Sequence, residues 1–231
     1  MESKSEALVQ NGDRISFSFG KTLYLYFILI PALVFSFKAF TIPLALTTLA
    51  LIFVTVCVGH SVGLHRGIIH KTYQCSRVAR NVLTYLFVHS GLGGPLSWIR
   101  LHYVRDYWQN RSDCPKYFQY NHSMLRDFYW NLHFKFTPQD WSIYNIPKED
   151  LEDPWLNWLE KTWHWHIAGS AAIIWLVFGF NALIICVFAR LSFSMLGHWI
   201  VGFLTHKYGY TRYKIKDAKE NTKVENIGEK K

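Results

Sequence analysis

Residues 42–64 read IPLALTTLALIFVTVCVGHSVGL without one charged side chain. Such a run has to find hydrocarbon, because roughly 20 apolar residues wound as a helix match the thickness of a bilayer core. The stretch just before it, residues 23–40, is equally apolar, interrupted only by Pro31 and Lys38. The two together predict a tight helical hairpin. A second pair is expected late in the chain, residues 167–189 and a shorter 191–205, with Arg190 alone between them. The expected fold is therefore an all-α membrane protein with about four transmembrane helices in two hairpins.

Half the composition is hydrophobic and 17% is aromatic, with ten Trp and thirteen Tyr, rings that collect where hydrocarbon meets water. The formal charge of +9 does not point to nucleic acid, since the basic residues flank the apolar runs instead of forming one stripe. Twelve Lys and Arg lie between residues 65 and 163 and eight follow residue 206, while the hairpin tips are expected to hold only Lys38 and Arg190. By that bias the middle stretch and both termini face the cytoplasm. Residues 78–99 contain Gly91-Leu-Gly-Gly-Pro95 and a buried His89, which favours an interfacial or re-entrant helix over a full crossing. Trp155, Trp158, Leu159 and Thr162 fall at helical spacing and predict an interfacial helix leading into the third span. Cys57, Cys75, Cys114 and Cys186 include no Cys-x-x-Cys pair, so neither a zinc knuckle nor a disulfide framework is indicated. The chain reads as one domain, 1–231, with a polar N-terminal segment 1–21 lacking a secretory cleavage signal and a disordered, Lys/Glu-rich tail 214–231.

Chemistry is concentrated in the eleven histidines. His60, His65 and His70 cluster where the second apolar run ends. Neutral imidazole binds iron, zinc and copper well, and a histidine cluster at a membrane edge is costly without a partner. On an α-helix a five-residue step turns about 500°, leaving neighbours ~140° apart, so His65 and His70 meet one centre only if the helix ends between them. Gly63 and Gly67 are the residues that would end it. His122 and His133 read as surface or interfacial residues beside an amphipathic stretch. His60 with His198 offers a bis-histidine haem pair as a separate idea. No P-loop, GxGxxG, nucleophile elbow or Glu-x-x-His is present.

The sequence His65-Arg66-x-x-x-His70-Lys71-Thr72-Tyr73 resembles the first histidine box of the membrane acyl-CoA and acyl-lipid desaturases. About thirty residues on, Trp98-Ile-Arg-Leu-His102-Tyr-Val-Arg105-Asp106, followed by Cys114-Pro115, resembles the frame of the family's second box. The resemblance runs from Phe53 to Tyr213. It implies two membrane hairpins with a cytoplasmic helical, histidine-bearing layer, in which histidines hold two irons that activate dioxygen against an unactivated acyl methylene. It also implies an acyl-CoA or acyl-lipid substrate and an external electron donor such as a ferredoxin or a cytochrome b5-type protein.

By the same resemblance the iron ligands are His65, His70, His102 and His206, with Asp106 and His198 as possible additions. The departures are specific. Arg105 and Asp106 stand where the family has a His-His pair, and Arg105, always protonated, cannot ligate a metal. No histidine follows His206, so the third box is missing and the expectation is a chain that stops where the family runs onward. Two readings stand at this point: a desaturase-like oxidoreductase, or an inactive or truncated relative that binds lipid or regulates a partner.

Overall fold

The computed structural model describes residues 12–109, 111 and 113–208, so the terminal part of the N-terminal segment and the tail 214–231 lie outside the described residues. The protein is an all-α membrane protein, with a single two-stranded antiparallel ribbon among the described residues. Three helical stretches are long and apolar enough to cross a bilayer: Phe19–Ala39, Ile42–Ile69 and Pro154–Lys207. Their most apolar windows are only 22%, 17% and 28% buried within the protein. Surfaces as apolar as Leu33, Phe37, Leu46 and Leu176, all exposed, would aggregate in water and are at home in lipid.

The chain forms two compact units. The first comprises residues 25–102 and 146–197. Here α1 (Phe19–Ala39) turns through Phe40 and Thr41 into α2 (Ile42–Ile52), whose first turn is capped by the Thr41 hydroxyl accepting from the Leu44 N–H. The second arm then continues from Phe53 to Ile69 in the wide i→i+5 form. Gly59 and Gly63 face α3 (Arg77–Val88) so closely that a Cβ would lie 2.5 Å from the Phe87 amide nitrogen and 2.7 Å from Leu83 Cβ. These glycines permit close packing of two helices, and the helix expected to end near Gly63 and Gly67 instead runs to His70.

The 54-residue stretch Pro154–Lys207 is twice what one crossing needs. It comprises α6 (Pro154–Ala182), a wide-turn segment Leu183–Ala189 and α7 (Arg190–Lys207), and it breaks at Gly179, whose φ of 81° and ψ of −177° only glycine adopts readily. On either side His166 and Arg190 both come to His89, so the chain doubles back at Gly179. The break replaces the expected separator, Arg190, which is 4% exposed inside the fourth arm and donates to the carbonyls of Cys186 and His89. A long side chain that satisfies backbone carbonyls locally can stay in a helix, so its charge did not mark a turn. Both hairpin tips meet: Phe35 packs on Phe180 at 5.5 Å, Ala39 joins Ile184 and Ile185, and Thr48 donates to the Ile185 carbonyl at 3.1 Å. The tryptophan-rich start of the third arm is not a separate helix but its first turns, capped by Asp153 accepting from the Leu156 N–H.

The second unit comprises, among the described residues, 12–24, 103–145 and 198–208. Strands β1 (Arg14–Phe17) and β2 (Phe134–Thr137) pair with Arg14 opposite Thr137 and Phe17 opposite Phe134. Helix α5 (Met124–His133), capped by Ser123, leads straight into β2. The Lys21 ammonium donates to the carbonyls of Asn131 and Phe134, tying the start of α1 to that corner.

Candidate metal centre

His65 and His70 sit in the last turn of the wide-turn segment. The His70 amide donates to the His65 carbonyl at 3.0 Å, an i→i+5 bond. Widening the turn in this way brings residues five apart onto the same side of the helix, which an α-helix does not. The imidazoles of His65 and His70 are 4.4 Å apart, with Nε2 to Nε2 at 3.2 Å. His102 reaches the same point from α4 (Pro95–Gln109), its ring 4.8 Å from His65 and 4.9 Å from His70. One donor atom from each of the three lies within 4.8 Å of the others, all three half-buried.

The start of α4 is fixed by Glu160 on the third arm, whose Oε2 accepts from the N–H groups of Leu96 at 2.9 Å and Ser97 at 3.0 Å. A carboxylate at the N-terminus of a helix is favourably placed against its dipole. Gly94 makes room for it, since a Cβ there would lie 2.2 Å from that oxygen. The motif Gly91-Leu-Gly-Gly-Pro95 thus starts the helix that carries His102, after a turn in which Gly91 and Gly93 take positive φ.

His60, which the sequence groups with His65 and His70 and also offers for a haem pair with His198, stands beside this group, its ring 6.0 Å from His65 and 5.0 Å from Trp98. It is 5% exposed and stands five residues before His65 on the same wide-turn backbone. A cavity of about 530 Å³ adjoins the same backbone, lined by Gly63, Gly67, Lys71, Tyr73, Arg80 and Asp153 among others. Its charges are paired across it: Lys71 with Glu149 at 2.7 Å and Arg80 with Asp153 at 2.9 Å. The Lys71 hydrogen bond holds the Glu149 carboxyl below its ordinary range, whereas burial pushes Asp150 above it, with Lys71 opposing.

His206, Asp106 and His198 belong to the second unit, where all three are half-buried. His206 lies flat against Tyr120, centroids 4.6 Å apart and planes 8° from parallel. Arg105, standing where a box-two histidine is implied, donates to the Tyr120 hydroxyl at 2.9 Å and to the Asn131 amide oxygen. His122 and His133, expected at the surface or an interface, are buried within the protein at 8% and 4% exposure. His122 Nε2 meets Asp127 Oδ1 at 2.7 Å, and the other oxygen of Asp127 accepts from the Trp199 indole at 2.8 Å.

The donor set at the triad suits a transition metal. Two nitrogens each ~2.1 Å from one ion at a right angle lie about 3 Å apart, the separation at which His65 and His70 stand. Three imidazoles serve iron, zinc or copper, the soft-to-borderline ions of histidine sites. The chain is similar to an acyl-CoA 5-desaturase of Anemone leveillei, 21% identical over 192 residues, which are 81% of this chain and 56% of that protein. It is similar also to an sn-1 stearoyl-lipid 9-desaturase of Anabaena variabilis, 24% identical over 75% of this chain and 62% of the relative. An acyl-CoA C20 Delta5-desaturase of Anemone leveillei is 22% identical over 81% of this chain and 58% of its own length. These relatives are acyl-CoA and acyl-lipid desaturases, 21–24% identical to this chain. No family model matches it. It spans a little over half the length of these desaturases. Against that background the triad falls on the two segments that carried the resemblance, box one through His65 and His70 and the box-two frame through His102.

Proposed function

We propose that this chain is a membrane desaturase-like oxidoreductase that introduces a double bond into a long-chain acyl substrate using iron, dioxygen and an external electron donor. The observation that carries the reading is the convergence of His65, His70 and His102 from two different helices on one point. The three imidazoles would hold iron, and the resemblance adds His206 as a fourth ligand with Asp106 and His198 as further candidates. Bound iron supplies what side chains lack, activation of dioxygen against an unactivated C–H bond. In the net reaction two acyl hydrogens, with two electrons and two protons from the donor side, reduce dioxygen to two waters.

The chain's own residues hold and orient. The wide-turn backbone presents His65 and His70 as neighbours, and Glu160 anchors the start of the helix that brings His102 to them. Trp98 and His60 form an aromatic wall beside the group, and such a wall limits water at the site. The lipid-facing arms place the centre beside the bilayer, where an acyl chain carried on coenzyme A or a lipid headgroup is at hand. The electron donor, a ferredoxin or a cytochrome b5-type protein, would approach from the cytoplasmic side, to which loop charge assigns the histidine layer and the termini.

A second reading, an inactive relative that binds lipid or regulates a partner, is favoured by the commitment of Arg105 to Tyr120 and Asn131 at an implied ligand position. Purification in detergent, anaerobic loading with Fe(II) and metal analysis, joined to acyl analysis of a host that supplies electrons, separates the two. About one ion per chain or more and a new unsaturated product are expected; retention under about half an ion per chain overturns the metal reading.

A further inference from the structure

The wide i→i+5 form is rare beyond a single turn, so its end near His70 has to be held by something. The next residue, Lys71, turns the chain, and the two after it bond back onto the wide-turn segment. Lys71 takes the left-handed conformation, φ 48°, unusual for a residue with a side chain, and its ammonium lies 2.7 Å from Glu149. Thr72 donates both its N–H, at 2.9 Å, and its hydroxyl, at 3.1 Å, to the Arg66 carbonyl. Tyr73 passes across Gly67 and donates its hydroxyl to the Val62 carbonyl at 2.9 Å, spanning eleven residues of chain. The fit over Gly67 is tight: a Cβ there would lie 2.7 Å from the Tyr73 hydroxyl oxygen and 3.2 Å from Cζ.

We propose that Tyr73, seated over Gly67, is a positioning residue that holds the wide-turn end of the second arm in the form that lets His65 and His70 face one ion. Tyr73 touches neither imidazole in this role; it acts on the backbone that carries them. A return of that turn to i→i+4 bonding would swing His70 ~140° from His65 and dismantle the pair. Removing the tyrosine oxygen takes away the closest approach to a Cβ at position 67 and leaves Cζ at 3.2 Å and the Val62 carbonyl oxygen at 3.3 Å, which shifts of a few tenths of an ångström relieve. Gly67→Ala and Tyr73→Phe therefore damage the same contact, and their effects do not add.

The inference rests on the triad being a metal site. Full-length chain in detergent is titrated anaerobically with Co(II), reading affinity and the visible Co(II) bands, with helix content and thermal midpoint followed by circular dichroism. Tyr73→Phe is expected to weaken Co(II) binding about tenfold, the scale of outer-shell losses at metal sites, and to change the Co(II) bands while helix content stays the same. Gly67→Ala should give a similar loss, and the double variant a loss about equal to the larger single one. Wild-type binding with an unaltered Tyr73→Phe variant, a lowered thermal midpoint with unchanged Co(II) bands, or additive losses overturns the inference alone. A wild-type chain that takes up no Co(II) overturns the metal reading, and the inference with it.

Discussion

The end of the second arm holds His65 and His70 with their Nε2 atoms 3.2 Å apart, whereas the α5 region turns His122 to a carboxylate and His133 to the Tyr129 carbonyl. Both regions are rich in histidine, half-buried in the first and buried in the second. In the first, the imidazoles answer one another. In the second, Asp127 is 1% exposed and takes donors from His122 and Trp199, closing a buried pair within the protein. Such pairs are expensive to break and contribute specificity of packing more readily than chemistry. What marks a candidate metal site is thus convergence, and the number of histidines in a segment says little about it.

The contrast can be broken most strongly at the triad. His102→Ala should weaken Fe(II) or Co(II) binding by more than about a hundredfold, since loss of a ligand exceeds the loss of an outer-shell partner. His122→Ala should leave the binding isotherm as it is. Equal losses in the two variants would erase the distinction between the regions. At Asp127 the expected effect is on stability: Asp127→Ala strands two buried donors and should cost about 3 kcal/mol, seen as a lower thermal midpoint in detergent, with metal uptake intact. Uptake that falls along with the midpoint would show the regions to be coupled.

The smallest effect concerns a third kind of histidine. His89, half-buried after α3, has its pKa lowered to about 4, by burial first and then by the neighbouring Arg190 and His166 charges. The unfolded chain binds that proton below about pH 6.5, while the folded chain resists it until about pH 4. The stabilising contribution of neutral His89 is therefore whole above pH 6.5 and is lost as pH falls from there toward 4. His89→Asn should flatten the pH dependence of the thermal midpoint across that window, and an unchanged slope would remove His89 as its source.

Apolar runs made the membrane arms legible, because no water-facing arrangement suits residues 42–64. Their boundaries were less so. Arg190 was the one charge in a long apolar stretch and looked like a turn, but its guanidinium is satisfied by carbonyls inside the bundle, and the turn fell at Gly179, where backbone freedom mattered and charge did not. The segments that carry the triad were legible as motifs, while their meeting was not: α-helical geometry separates His65 from His70, and no residue between them announces a wider turn. His122 was misplaced because one of the partners of Asp127, Trp199, lies 72 residues from it along the chain.

An ion held by both His65 and His70 would be a ligand of the backbone as much as of the side chains. Linkage then requires that whatever free energy separates the i→i+5 turn from the ordinary one be subtracted from the ion's affinity, and that the ion in turn favour the wide turn by the same factor. The hydrogen-bond ladder of a membrane helix and the occupancy of the site would be one equilibrium, so that bilayer thickness or composition, acting on the helix alone, would register as a change in metal affinity.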